Sequence, residues 1–348
     1  MRRGREGARA VSRHEVIVDL AERSYPIIVG PGVSREVVGF LPSAAKRAVI
    51  VTQDGLPTID LAGVPSTTVY IGRGEEHKTL ATVEELCRAF AGFGLTRNDV
   101  IVAVGGGMVT DVAGFAASMW HRGTAVVHVA TSLVAMVDAA IGGKTGVNIF
   151  EGKNLLGAFW QPDAVLCDLD HLASLPAAET RCGWGEVAKY HFISGQDMLA
   201  MDLDERVATC VRIKAEIVSA DERDAGARAL LNYGHTLGHA IETVTRHSVA
   251  HGEAVAMGLV FAARLAHRLG RIDWNRVQRH HEVVGQEYGL AVKPSGPLDV
   301  NALMVAMARD KKATAGLTFV LDSPRGLEVV AGIDPDIVSS VLVEYLAP

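Results

Sequence analysis

His235 and His239 stand four residues apart in YGHTLGHAIE, the spacing that lets two imidazoles on one helical face meet a single ion. On a helix turning about 100° per residue, Asn232, His235 and His239 fall at roughly 40°, −20° and 20° from Arg228, whereas Leu230, Leu237 and Ile241 fall at roughly 180–220° and supply a packing stripe. The pattern predicts a continuous helix over 204–245 with Arg, Asn, His and His on one side. A lone helical histidine is more often structural than ligating, but a stripe of four polar groups describes a binding face. Either histidine could hold a metal or hydrogen-bond a substrate. His251, which opens HGEAVAMG, and Glu186, one turn before Lys189 in WGEVAKY, add two further donors. Three neutral or anionic N/O ligands with an open fourth position would make a catalytic zinc site. Seven of the 13 histidines lie between 235 and 281, so any metal belongs to this part of the chain.

A second chemistry is written into DVIVAVGGGMVTD at 99–111. An apolar run enters Gly105-Gly106-Gly107 and leaves as a helical pattern, so backbone without Cβ atoms stands at a helix N-terminus, where a pyrophosphate can approach free N–H groups. Asp111 is a candidate hydrogen-bond partner there. The segment TSLVAMVDAAIGGKTGVNIFEGKNLLGAFWQ at 131–161 sets Asp138, Lys144, Lys153 and Asn154 among glycines and reads as a loop that grips phosphate or carboxylate oxygens. Arg122, Lys214, Lys311 and Lys312 are the remaining basic candidates, and by residue type alone each reads as a solvated charge.

Elements able to position these groups are legible. EVIVDL, YPIIVG, RAVIVT, TTVYI, DVIVAVGGG, AVVHVA and AVLCDL are strand candidates, the first two a hairpin, and helical patterns such as 79–94 between the later ones predict βαβ units and a mostly parallel sheet. After Leu175-Pro176 the texture turns helical (178–193, 204–245, 252–269, 275–288, 299–310), with a late hairpin at LTFVLD and GLEVVAG. This predicts a tail at 1–13, an α/β domain at 14–174 and an α-helical domain at 175–348. A chain of 348 residues, 49% apolar and 21% charged, can bury two cores. A net charge of −6 without a basic patch argues against nucleic acid and for small metabolites. Four widely spaced cysteines fit a reducing compartment, and the absence of a signal-like or 18-residue apolar run points to a cytoplasmic protein without a membrane partner.

Taken in order, RGEEHK at 73–78, GGGMVTDVAGF at 105–115, VDAAIGGKTGVN at 137–148, GKNLLGAFWQP at 152–162, GEVAKY at 185–190, ADERDAGARALLNYGHTLGHAIE at 220–242, HGEAVAMG at 251–258 and DKK at 310–312 resemble the 3-dehydroquinate synthase family of sugar-phosphate cyclases. The resemblance runs from about residue 14 to the end. It implies an α/β N-terminal Rossmann-like domain that binds NAD, an α-helical C-terminal domain that binds zinc or cobalt, a cleft between them and a homodimer. Glu186, His235 and His251 match the family's metal ligands, leaving His239 as a substrate contact. Arg73, Gly74, Glu75, Glu76, His77, Lys78, Gly106, Gly107, Met108, Val109, Thr110, Asp111, Thr131, Ser132, Lys144, Lys153, His171, Leu172, Ala173 and Ser174 match its nucleotide-binding positions. Asp138, Lys144, Asn154, Lys189, Lys214, Arg228, Asn232, His239, Lys311 and Lys312 match its substrate pocket, and Arg122 matches an arginine that reaches the neighbouring subunit's site.

The implied reaction converts 3-deoxy-D-arabino-heptulosonate 7-phosphate to 3-dehydroquinate and phosphate, a step of the shikimate route. Oxidation of the carbon-5 alcohol acidifies the adjacent proton, phosphate leaves, and the hydride returns, so NAD+ is regenerated within one turnover. The chain departs from the family pattern at Ala130-Thr131-Ser132 (PTT in many members), at Asp224 (commonly Glu), in the turn VTQDGL, where an Asp/Asn pair is displaced, and in a shorter 194–205. Competing readings are a related cyclase (amino-dehydroquinate or 2-deoxy-scyllo-inosose synthase), a metal-dependent alcohol or glycerol dehydrogenase, and a non-catalytic metabolite binder.

Overall fold

The computed structural model describes residues 12–309 and 316–347; Lys311, Lys312 and nearly all of the expected tail lie outside them. Strands β1 (His14–Val18) and β2 (Tyr25–Gly30) form the expected antiparallel hairpin. They are followed by β3 (Ala48–Thr52), β4 (Ser66–Tyr70), α1 (Leu80–Phe93), β5 (Val100–Gly105), α2 (Gly107–Met119), β6 (Ala125–Ala130), the paired β7 (Lys144–Ile149) and β8 (Gly152–Phe159), and β9 (Ala164–Asp168). Seven strands make one sheet in the order β1-β2-β9-β6-β5-β3-β4, parallel at every pairing except β1-β2. Every residue of β3, β5 and β9 is buried, as strands covered on both faces must be, and this is why they read as near-continuous Val/Ile/Ala runs. The chain moves outward from β3 to β4 and then returns to start β5 on the other side of β3. The strand order therefore reverses between β3 and β5, and the crevice that such a reversal opens at the strands' C-terminal ends lies beside Gly105.

The remainder is α3 (Ala177–Ser194), α4 (Leu203–Ala220), α5 (His235–Val244), α6 (His251–Arg268), α7 (Trp274–His281), α8 (Val300–Arg309), the hairpin β10 (Leu317–Leu321) and β11 (Glu328–Ile333), and α9 (Pro335–Leu346). Thirteen of the eighteen residues of α6 are buried, so it is the central helix on which the others pack. Among the described residues no helix is long and apolar enough to cross a membrane.

Three expectations need correction. The helix predicted over 204–245 stops at Ala220. Asp221 turns its carboxylate onto the N–H groups of Ala225, Gly226 and Arg228 at 2.7–3.0 Å, a local side-chain-to-backbone arrangement that replaces the helical ladder. A 3₁₀ segment, Ala227–Asn232, follows, and the chain re-enters helix only after Gly234, whose φ is +80°. Arg228 and Asn232 thus do not share a helix with His235 and His239. Nor is 131–161 a loop: Asp138 lies in a π-helical turn (Ala135–Ala139), and Lys144, Lys153 and Asn154 lie on the β7–β8 hairpin. Its glycines hid the pairing, because Gly157 takes the place where a Cβ would stand 2.1 Å from the Thr145 carbonyl. Finally α9 was not foreseen, although Asp334 caps it through the Asp336 N–H and Pro335 occupies its first turn.

Candidate functional site

Helices α3, α5 and α6 bring three side chains to one point. The crossing of α3 and α6 is made close by glycine: a Cβ on Gly185 would stand 2.0 Å from the Gly252 carbonyl oxygen, and one on Gly252 would stand 1.8 Å from that of Cys182. Between α5 and α6 the same holds for Gly258 against the Gly234 carbonyl, at 1.9 Å. Glu186, next to Gly185, and His251, next to Gly252, are therefore held face to face. Glu186 Oε1 lies 3.0 Å from His251 Nε2 and 3.6 Å from His235 Nε2, with Lys189 Nζ 2.5 Å from Oε2. Both Glu186 oxygens are wholly buried, yet none of these contacts has hydrogen-bond alignment.

This donor set fits a divalent cation. The three ligand atoms lie within 4.8 Å of one another. Bonds of about 2.0–2.2 Å in a tetrahedron would set neighbouring ligands about 3.3–3.6 Å apart, close to the spacing of the two Glu186–histidine contacts. The ring orientations fit as well: His235 Nδ1 is 3.1 Å from the Tyr233 carbonyl and His251 Nδ1 is 3.0 Å from Glu242 Oε2, so each Nδ1–H has an acceptor and each Nε2 faces Glu186. The electrostatics also ask for positive charge. Burial penalises ionisation of Glu186, but Lys189, His235 and His251 hold its carboxyl well below the usual range. His251 meets the same burial penalty, and its close contact with the Glu186 carboxylate and its hydrogen bond to Glu242 raise it to about 10, whereas burial pushes His235 down to about 3 against the pull of Glu186. His239 meets His235 edge-on at 5.3 Å and stacks on His251 at 5.9 Å, and forms a second possible donor set with Glu242 and His251.

His235 also faces a cleft of about 390 Å³, open mouth included, lined by Asp138, Lys144, Lys189, Lys214, Arg228, Leu231, Asn232 and His235. All but Leu231 are residues singled out from the sequence. Their charges alternate: Lys214 donates to Asp138, whose other oxygen is 3.9 Å from Lys189 Nζ, which in turn meets Glu186. Burial opposes the charge of Asp138, but Lys189 and Lys214 keep its carboxyl low; burial pushes Lys214 down to about 8 although Asp138 pulls the other way. Arg228 is buried and donates to the carbonyls of Gly142 and Glu222 at 2.9 Å each. Lys144 donates to Asp224 at 2.5 Å.

At the sheet crevice, Gly106 precedes α2 without a side-chain cap, and the first turn of α2 carries no acid. A Cβ on Gly106 would stand 3.1 Å from Ser132 Oγ, and one on Gly107 2.9 Å from the Ala139 Cβ, so only glycine leaves this cradle open to a phosphate. Thr131 N–H donates to the Gly105 carbonyl at 3.0 Å. Lys78 is buried, with Nζ 2.5 Å from Asp111 Oδ2 and 2.6 Å from Asn154 Oδ1. Asn154 therefore turns toward Lys78 and is not among the residues lining the cleft. Arg73 donates to the Asp54 carbonyl, Glu75 accepts from Asn148 at 2.8 Å, and His171 to Ser174 form a 3₁₀ turn after β9, with His171 3.9 Å from Asp168. Arg122 sits at the far end of α2 in the turn Trp120–Arg122, away from the cleft lining. Tyr233 and Glu242 were missed as ring-orienting groups. Glu242 was findable, because seven residues after His235 it lies at roughly −20° on the same helical face.

The fold is that of the sugar-phosphate cyclases. A crystal structure of 2-deoxy-scyllo-inosose synthase complexed with carbaglucose-6-phosphate, NAD+ and Co2+ matches with a TM-score of 0.86 at 26% identity, over 95% of this chain and 100% of that one. The 3-dehydroquinate synthase N-terminal family model matches residues 67–182 and the 3-dehydroquinate synthase C-terminal family model residues 183–313. The chain belongs to the 3-dehydroquinate synthase family. It is 51% identical to a candidate aminodehydroquinate synthase of Amycolatopsis mediterranei (strain S699), over 95% of this chain and 94% of the relative. It is 40% identical to a 3-dehydroquinate synthase of Nitrobacter winogradskyi (strain ATCC 25391 / DSM 10237 / CIP 104748 / NCIMB 11846 / Nb-255), over 95% and 96% respectively.

Proposed function

We propose that this chain is an NAD- and divalent-metal-dependent cyclase that converts 3-deoxy-D-arabino-heptulosonate 7-phosphate to 3-dehydroquinate and phosphate. The observation that carries the reading is the Glu186–His235–His251 cluster opening, through His235, onto a cleft lined by Lys144, Lys189, Lys214 and Arg228. A neutral alcohol needs no such set of cations; a substrate with a carboxylate at one end and a phosphate at the other does. Glu186, His235 and His251 would hold a divalent cation, which would supply a Lewis acid for ionising the substrate alcohol. Gly106, Gly107 and the N-terminus of α2 would hold the pyrophosphate of NAD+, which would supply a reversible hydride acceptor.

The protein's own groups do the rest. Arg228 grips the carboxylate, with its guanidinium already oriented by two backbone carbonyls. Lys144, Lys189 and Lys214 neutralise the phosphate and neighbouring oxygens, Asn232 and His239 hold hydroxyls, and Asp138 keeps the two buried lysines apart and charged. The departing phosphate can take the proton that elimination releases, so no separate base is required. Lys78, Asp111, Lys153 and the turns at 73–77 and 171–174 serve the nucleotide, and Asn154 joins them through Lys78. The assembly in this reading is a cytoplasmic homodimer of two-domain subunits, with Arg122 serving the neighbouring site.

A second reading, the amine-bearing analogue of the same substrate, is favoured by one observation: identity is 51% to the candidate aminodehydroquinate synthase against 40% to the 3-dehydroquinate synthase. Phosphate release from each of the two 7-phosphates, with absorbance at 340 nm followed in parallel, tests both. The reading expects catalytic NAD+ to suffice and no NADH to accumulate. NADH rising in step with substrate loss would overturn it in favour of a dehydrogenase.

A further inference from the structure

We propose that Glu242 is a positioning residue that ties the β7–β8 hairpin to the metal-ligand cluster, so that metal and nucleotide bind with mutual cooperativity. The inference rests on the reading above, in which Lys153 serves the nucleotide and His251 the metal. Glu242 closes the polar face of α5, and its side chain is 7% exposed. One oxygen, Oε2, is 3.0 Å from His251 Nδ1; the other, Oε1, is 3.4 Å from Lys153 Nζ on β8. A single buried carboxylate thus joins a group on the β7–β8 hairpin to one at the start of α6.

Its effect on His251 follows from imidazole chemistry. The nitrogen that is available to a cation is decided by the hydrogen bond the other nitrogen makes. His251 is the most exposed member of the cluster, with a third of its side chain accessible, and it opens its helix, so its ring is flanked on one side by His235 and His239 and open on the other. Glu242 takes up the Nδ1–H and leaves Nε2 aimed at Glu186. The same carboxylate draws Lys153, and with it β8, toward α5. A cation that orders His251 therefore orders Glu242 and Lys153, and a nucleotide that engages Lys153 acts back on His251 through the same carboxylate. Linkage of this kind is reciprocal.

The test uses the full-length chain and two readouts independent of turnover. Cobalt affinity is measured by competition with a chelator, together with the visible Co²⁺ spectrum and the metal stoichiometry. NADH affinity is measured by fluorescence with and without Co²⁺. For the wild type we expect one metal per chain and an NADH affinity raised at least about 5-fold by the metal. Glu242→Gln keeps size and an acceptor but loses the charge. It is expected to weaken cobalt binding about 10- to 100-fold, alter the spectrum and bring the metal effect on NADH close to unity. Lys153→Met, which leaves the His251 bond in place, should keep cobalt affinity within a few-fold and still lose the metal effect, so a failure of the Glu242 variant to fold leaves the idea testable. A metal-binding wild type matched by Glu242→Gln in affinity and spectrum, or a coupling that survives both substitutions, overturns the inference alone. So does a second metal equivalent lost with Glu242, which would make that residue a ligand. A wild type that binds no metal overturns the catalytic reading beneath it.

Discussion

The metal-ligand cluster and the cleft it opens onto are built differently, as two halves of one site. Glu186, His235 and His251 come from three helices whose crossings are fixed by glycine contacts that admit no Cβ. Asp138, Arg228 and Asn232, and Lys144, come from a π-helical turn, a 3₁₀ segment and a strand end, and the charged heads of Asp138, Arg228 and Lys144 are held by hydrogen bonds or ion pairs. A metal tolerates errors of only a few tenths of an ångström in ligand position, whereas a charged oxygen is still attracted when a lysine head shifts. The rigid half suits an ion and the adaptable half suits a substrate whose shape changes during reaction.

The largest effect should come from the rigid half. His235→Ala and His251→Ala should each remove bound metal and lower turnover by about 10³-fold or more, while His239→Ala keeps the metal and loses substrate affinity or rate. Metal analysis after gel filtration, beside phosphate release, decides it; a metal-free His239 variant would move the site to the second donor set. Next comes the scaffold itself. Gly252→Ala places a methyl group against the Cys182 carbonyl and must part α3 from α6, so it should cost about 3 kcal/mol of stability and lose metal although no ligand has changed. Denaturant unfolding with metal titration reads both, and retained metal affinity would show that the cluster does not depend on that crossing.

The adaptable half should respond in a separate parameter. Arg228→Lys keeps the charge but cannot reproduce a planar two-point grip, so KM for the carboxylate-bearing substrate should rise about 10-fold or more with metal and NAD+ binding unchanged. Equal losses on an analogue lacking the carboxylate would show that Arg228 does not read that group. The smallest effect lies away from both halves. Asp204 accepts from Ser12 N–H and Oγ at 3.1 and 2.8 Å and lies 3.3 Å from His14 Nε2; burial opposes its charge, but these bonds hold its carboxyl down at about 2. A carboxyl depressed on folding stabilises above its unfolded pKa near 4 and loses that contribution as pH falls toward 2. Asp204→Asn should therefore cost about 1–2 kcal/mol at pH 7 and nothing by about pH 1, below both pKa values, with turnover at neutral pH unaltered.

Residue type, order and local period made much of this legible. Buried parallel strands announce themselves as Val/Ile runs, Gly105–Gly107 as a strand-to-helix turn, and five of the eight residues lining the cleft (Asp138, Lys144, Arg228, Asn232, His235) as polar groups beside glycine or on a helical face, whereas Lys189 and Lys214 stand out only through the family resemblance. The same local reasoning failed where a short-range side-chain bond competed with helical period. Asp221 stops α4 by capturing three N–H groups, and Gly234 restarts the helix from a left-handed residue, so the stripe drawn from Arg228 to His239 crosses a break.

The amino-acid sequence by itself determined which groups are available: the ligand types, the cations, the phosphate turn and the family they belong to. Only the tertiary structure decided which nitrogen faces Glu186, that Asn154 turns to Lys78, and that Glu242 stands between His251 and Lys153. These depend on contacts between residues as much as 89 positions apart, set by how closely one backbone can approach another, and that distance has no period along the chain.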